Sequence, residues 1–299
     1  MLFPAPAAPV FEPAHVVTTE RSPRYEDCTQ DGRLITTAIP SSLATLWEVA
    51  LAKNPGVRNA RAAGVLSLLT RLTVLSLEQP IRVHHPLTST VGFELAHDRD
   101  AAGEVARVYM NVWSEVRGVP GRIAGGTRSA SRDPVLAGHA FAEHTFTRPF
   151  APPGQRRVTS LEGIAGYPAI PPTHHAAQPP SSAGDAPAGA TWLDELAPDL
   201  VETRFTLDQT DANQHVNSLV YMRCFLDAVQ RRLAAGDHPA KLRSREFDIA
   251  YRKPSFVGDC VRIHLRLFAH GDQLGAAGFV AAAGEEARPR CYVRAVFAP

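Results

Sequence analysis

No two of the four cysteines in this 299-residue chain stand close enough in sequence to form a CxxC pair or a zinc-ligand spacing; Cys28, Cys224, Cys260 and Cys291 are scattered. That scatter argues against a metal ribbon and against a dithiol redox motif, and it predicts reduced thiols in a cytoplasmic protein. Charge of one sign is equally scarce. With a formal net charge of +1, the chain lacks the concentrated basic surface that nucleic acid requires, so DNA and RNA are not expected partners. Long hydrophobic runs are missing too: the most apolar stretch, Val65 to Leu77, is too short to span a bilayer and carries Arg71. Residues 1–20 have no basic region followed by an apolar core, so neither a signal peptide nor a membrane span is expected. The pairs His84-His85 and His174-His175 do not suggest a metal site. Adjacent strand residues face opposite ways, and the second pair lies in a linker-like stretch. No metal and no cofactor are expected.

What the chain does have is enough apolar content, 44% of residues, to bury one large core or two modest ones, and domain-size statistics favour two. A degenerate internal repeat supports that division. Arg24-Tyr25 followed by Asp31-Gly32 mirrors Arg204-Phe205 followed by Asp211-Ala212, placing Asp31 opposite Asp211. Ile39 to Lys53 then matches Val216 to Leu233, and Ile81 to Pro86 matches Ile249 to Pro254. The expected organisation is an N-terminal tail over 1–20, a first unit over 21–120, a linker over 121–198 and a second unit over 199–299. The linker is rich in Pro, Gly, Ala and Ser, is expected to be mobile, and has at most a short strand or lid at Phe141 to Phe150.

Each unit closes with strand-like runs: Val91 to Ala96 and Glu104 to Val116 in the first, then Cys260 to Ala269, Leu274 to Ala283 and Pro289 to Phe297 in the second. The alternation Val261-Arg262-Ile263-His264-Leu265-Arg266-Leu267 is that of a strand with one wet face. Ahead of the second set, Leu219, Met222, Leu226, Val229 and Leu233 recur at steps of three and four and predict a helix. Asn217 or Ser218 is its candidate cap and Gly236 its candidate end.

The stretch Asp211-Ala212-Asn213-Gln214-His215-Val216-Asn217 leads into that helix. It gathers a carboxylate, amides and an imidazole where unpaired backbone N–H groups and the positive end of the macrodipole can hold developing negative charge. A carbonyl substrate suits such a place. Asp and Asn before a helix are also ordinary caps, and a lone His is more often structural.

The string Asp-x-Asn-Gln-His-Val-Asn followed by Tyr221 resembles the signature of plant-type acyl-carrier-protein (acyl-ACP) thioesterases and, more loosely, the 4-hydroxybenzoyl-CoA thioesterase family. The resemblance covers Leu200 to Pro299 well and the first 120 residues weakly, through the repeat. It implies an α+β fold of two hot-dog units, each an antiparallel sheet wrapped round a central helix, forming a pseudo-dimer in one polypeptide. It also implies one live site in the second unit and a dead mate in the first.

The resemblance makes Asp211, Asn213 and His215 the candidate catalytic set, with Asn217, Tyr221, Tyr251, Arg252 and Ser255 near the substrate. In the expected mechanism Asp211 would be the general base or water-orienting group, Asn213 would position substrate or water, and His215 would polarise the carbonyl or relay protons. The family's Tyr-Arg pair followed by Glu-Cys maps onto Tyr251-Arg252-Lys253-Pro254-Ser255, where Pro254 and Ser255 replace the Glu and Cys. That departure weakens a thiol mechanism, and no Gly-x-Ser-x-Gly setting supports Ser255 as a nucleophile. Tyr251 to Pro254 with Lys241, Arg243 and Arg245 is either a contact for coenzyme A phosphates or an acidic carrier protein, or a strand edge protected by charge. The expected function is hydrolysis of an acyl thioester on ACP or coenzyme A. Two alternatives are a hot-dog 3-hydroxyacyl dehydratase and a non-catalytic acyl-thioester or carrier-binding module.

Overall fold

Segments rich in β-branched and aromatic residues become strands, which gather into one thirteen-stranded, largely antiparallel sheet. The computed structural model describes residues 1–121, 133–236, 238–239 and 241–298. Residues 122–132 of the expected linker, and Asp237, Ala240 and Pro299 of the expected second unit, lie outside the described residues. In chain order the strands are β1 (Val16–Arg21), β2 (Leu66–Ser76), β3 (Leu87–Arg99), β4 (Val105–Gly118), β5 (Val135–Thr147), β6 (Thr173–His174), β7 (Thr191–Trp192), β8 (Ala197–Pro198), β9 (Thr203–Arg204), β10 (Arg243–Tyr251), β11 (Cys260–His270), β12 (Gln273–Ala281) and β13 (Cys291–Ala298).

The order across the sheet is β1-β3-β4-β5-β2-β10-β13-β12-β11-β7, with β6 on the β3 edge and β8 and β9 on the β11 edge. The two halves mirror each other about the β2–β10 seam, where Phe247 pairs with Val74 and Ile249 with Leu72. This is the double hot-dog arrangement, an α+β fold.

A helix lies on the inner face of each half. In the second it runs unbroken over Ser218–Ala235, capped by Asn217 and ended at Gly236. Its buried face is Tyr221, Met222, Phe225, Ala228, Val229 and Leu233, so the apolar stripe is rotated slightly from the expected one and Leu219 and Leu226 are only partly covered. In the first half the counterpart is irregular: a 3-10 turn over Thr36–Ser42 containing Pro40, one α turn, a π turn over Leu46–Ala50 and a second 3-10 turn. Pro40 supplies no N–H and disfavours a regular ladder. Ile39 reaches down to Gly138, where any Cβ would sit 2.4 Å from its Cδ1. One apolar cluster runs through both halves. No described helix is long and apolar enough to cross a membrane.

Three expectations need correction. The strand β5 lies inside the expected linker and is a central, thirteen-residue member of the first half, so that half extends to Thr147. Beyond it the linker crosses the outer face of the sheet as an ordered strap. His175 Nε2 lies 2.7 Å from Glu143, Ser182 accepts a hydrogen bond from Arg71, and β7 adds to β11. The N-terminal tail is likewise docked: the Leu2 and Phe3 amides donate to Glu246, Trp113 donates to Pro6 O, and Val16–Arg21 forms the β1 edge. Finally, Ile81 to Pro86 does not replace Ile249 to Pro254. The strand that mirrors β10 is β2, and Ile81 to Pro86 follows it as a connection.

Candidate active site

The approach to the long helix is built by local hydrogen bonding. A Thr-x-x-Gln capping box, in which Thr206 N–H donates to Gln209 Oε1, closes a 3-10 turn over Leu207–Gln209. A bridge between Thr210 and Val216 then pinches off the motif loop. Inside it Asp211 N–H donates to His215 O, and Gln214 N–H to Asp211 O. Gln214 takes φ +65°, the only non-glycine left-handed residue among those described. The loop is fastened outward as well, Asn217 N–H to Gln209 O and Val216 N–H to Ser255 O.

Asp211 sits at the junction of loop and helix. Its Oδ1 accepts from the Asn213 amide at 2.9 Å, and its Oδ2 from Asn217 Nδ2 at 3.1 Å. Asn217 in turn caps the helix, its Oδ1 accepting from Leu219 N–H at 2.9 Å. The carboxylate is thus tied to the helix start, partly buried, with lone pairs to spare. His215 Nδ1 is 3.1 Å from Val216 O. A hydrogen bond there places the proton on Nδ1 and leaves Nε2 as an acceptor. The amides of His215 and Ser218 make no hydrogen bond among the described residues and are available to an oxyanion. The Asn213 side chain is exposed.

The remaining predicted residues divide. Tyr221, Tyr251 and Ser255 meet beneath the helix start: Ser255 N–H donates to Tyr221 Oη at 2.9 Å, Tyr251 Oη donates to Ser218 O at 3.1 Å, and the two tyrosine rings pack edge to face. Burial raises the Tyr221 phenol to about 12, against the opposing pull of the Ser255 groups, and raises Tyr251 well above its ordinary value. Both stay protonated at neutral pH and serve as hydrogen-bonding struts. Ser255 is fully buried and its hydroxyl lacks a well-formed partner. Arg252 is exposed, apart from this cluster. Two residues the motif did not reveal complete the support: Gln209, whose carbonyl holds Asn217, and Phe205, whose ring packs on Tyr221. The Thr-x-x-Gln spacing was the available signal for Gln209.

The first half repeats the backbone frame of this loop 182 residues earlier. Asp27 N–H to Arg24 O, Cys28 N–H to Tyr25 O, Thr29 N–H to Arg33 O, Gly32 N–H to Thr29 O and Ile35 N–H to Asp27 O match their second-half equivalents. So do the Cys28–Leu34 bridge and the left-handed Gly32. This register corrects the sequence alignment by two residues: Thr29, not Asp31, stands opposite Asp211, while Asp31 stands opposite Asn213, Arg33 opposite His215 and Ile35 opposite Asn217. Arg33 is engaged with Asp31 at 2.7 Å and Glu78 at 3.3 Å. The first loop therefore has the frame of the second without its acid and imidazole.

Two cavities, of about 280 and 350 Å³, are not lined by Asp211. One is beside Arg232 and Leu267 at the far end of the long helix, the other between Arg24, Thr37 and Arg223.

No protein-family model matches the sequence, and no curated protein sequence matches it. Solved structures do. An acyl-ACP thioesterase from Bacteroides thetaiotaomicron aligns over 95% of this chain and 98% of its own at 16% identity and a TM-score of 0.61. A 12:0-ACP thioesterase from Umbellularia californica aligns over 95% and 97% at 14% identity and a TM-score of 0.58. Across nearly its whole length, this chain has the fold of acyl-ACP thioesterases.

Proposed function

We propose that this protein hydrolyses an acyl thioester to a free carboxylic acid and a thiol, with its single chemical centre at Asp211, Asn213 and His215. The observation that carries the reading is the coupling of Asp211 to the helix cap through Asn217, which ties a carboxylate to a helix N-terminus. Water bound to Asp211 attacks the carbonyl carbon, and its proton passes to Asp211 or to His215 Nε2. The oxyanion forms against the His215 and Ser218 amides. As the C–S bond breaks, the thiolate takes a proton back from the same acid. Burial of Ser255 favours direct water attack over a covalent route through its hydroxyl.

The fold shared with acyl-ACP thioesterases supports a carrier-bound acyl group over a coenzyme A ester, and the free, scattered cysteines suit a cytoplasmic setting. Asp211→Asn should lower kcat for thiol release by about 10²- to 10⁴-fold while leaving the unfolding midpoint in place. Thiol release from octanoyl, palmitoyl and aromatic thioesters, on both ACP and coenzyme A, is the measurement. Unchanged turnover in the variant would remove Asp211 from the chemistry, and no release from any ester by the wild type would remove the hydrolase.

A further inference from the structure

The larger cavity, about 350 Å³, is lined by Arg24, Glu26, Asp27, Ile35, Thr37, Ala38 and Arg223. It lies against the first-half loop, where the 182-residue register puts Ile35 in the place of Asn217. Its acids are already satisfied. Asp27 is held by Arg24 at 2.9 Å and Arg21 at 3.2 Å, and Glu26 by Arg24 at 3.3 Å. Burial pushes the Asp27 carboxyl up, but the hydrogen bonds from Arg24 and Arg21 more than offset this and its pKa is lowered. Arg21 is also tied to Ala38 O at 3.1 Å. Arg223, projecting from the long helix of the other half, is different: it is exposed at the mouth of the cavity and makes no ion pair or hydrogen bond among the described residues. The lining itself carries two guanidinium groups and two carboxylates; because Arg24, with Arg21 from outside the cavity, holds both acids, Arg223 is the guanidinium left without a counter-ion. Ile35 and Ala38 are the apolar members of the lining, with Thr37 between them in sequence.

We infer that this pocket binds a small alkyl carboxylate, the class of compound that the proposed centre at Asp211 releases, with the carboxylate on Arg223 and the chain against Ile35 and Ala38. A planar guanidinium suits a carboxylate through paired N–H donors, and a cavity of this size is near the lower end of the range for small-molecule sites. Thr29 replaces the acid and Arg33 is held in ion pairs, so the pocket binds without hydrolysing. The identity of the alkyl acid as product rests on the thioesterase reading; the pocket and its charge do not.

Calorimetric titration of the full chain with octanoate, octanamide and inorganic phosphate tests this, in the wild type, Arg223→Gln and Asp211→Asn. Losing a charge-assisted hydrogen bond should weaken octanoate about tenfold or more in Arg223→Gln, and octanamide should bind the wild type correspondingly more weakly. Asp211→Asn should retain the Arg223-dependent binding after losing turnover. Equal octanoate affinity in Arg223→Gln and wild type overturns the site, and phosphate binding as tightly as octanoate overturns its alkyl character. Arg223-dependent binding by a wild type that releases no thiol would sink the hydrolase reading and leave the pocket standing.

Discussion

Asn217 performs two tasks with one amide, and they can be separated. Its oxygen caps the long helix and its nitrogen holds Asp211. Asn217→Ala removes both and should lower stability by about 1 kcal/mol together with turnover. Asn217→Ser keeps a cap oxygen, so stability should stay within about 0.5 kcal/mol, but it cannot reach Asp211 and turnover should still fall. Urea unfolding beside thiol-release rates checks the split; equal turnover in the serine variant and wild type would show that the Asp211 contact is idle. Gln214 offers a backbone test. At φ +65° it occupies a region that glycine enters freely and other residues enter at a penalty, and its counterpart Gly32 sits at φ +86°. Gln214→Gly should therefore leave stability unchanged or raise it by up to about 1 kcal/mol, whereas Gln214→Val should lower it by about 1–2 kcal/mol. The motif itself was legible because side-chain chemistry is written in residue names. The two-residue slip between copies was not, since the copies share a backbone hydrogen-bond pattern, and Asp31 beside Gly32 is a plausible but false echo of Asp211 beside Ala212.

Elements were legible in proportion to how much water they touch. The strand β11 alternates because its outer face is partly wet, and the expected run matched it almost end to end. In β5 both faces are covered, the inner by the first-half helix and the outer by the strap, so the period-two signal fades and the strand disappeared into a proline-rich neighbourhood. The strap reads as flexible by composition, yet its anchors are supplied by the sheet beneath, which local sequence does not record. At the seam Asp248 receives Arg71 Nε at 2.8 Å and Arg294 Nε at 2.9 Å, and these arginines extend to Ser182 Oγ and Asp185 O of the strap. All three charged side chains are buried, with at most 6% of any exposed. Asp248→Asn leaves two facing guanidinium groups without a counter-charge and should lower stability by about 3–5 kcal/mol. Protease cleavage within Pro171 to Trp192 should accelerate with it. A variant as stable and as protease-resistant as wild type would mean that the triad does not hold the strap.

At the scale of the molecule, the apolar cluster spans both halves and the sheet is continuous across β2 and β10. The halves should therefore unfold together, with fluorescence from Trp47, Trp113 and Trp192 tracking circular dichroism. The doubled architecture was legible from the repeat and the motif; the continuity was not, because pairing between β2 and β10 joins residues about 175 positions apart. That continuity makes one buried group in the first half a control on the whole. His144 faces the inner core against the Trp47 ring, and its Nδ1 has no hydrogen-bond partner. Burial lowers its pKa to about 4, with backbone carbonyls at Ala142 and Met110 and the Glu143 charge opposing only in part. The folded protein thus holds the neutral imidazole, while the unfolded chain titrates at the ordinary histidine value of about 6.5. Above that pH both states are neutral and the group has no effect. As pH falls from about 6.5 towards 4, the unfolded state takes up a proton that the folded state refuses, and stability declines by up to about 3 kcal/mol. Burial shifts His139 and His264 in the same direction, so the wild type should lose more than His144 alone accounts for. Urea unfolding at pH 7.5, 5.5 and 4.5 should show a smaller decline in His144→Leu than in wild type, whatever their difference at pH 7.5. Parallel declines would place the acid sensitivity elsewhere, whereas convergence towards low pH would show that one neutral imidazole in the first half sets how far both halves survive acidification.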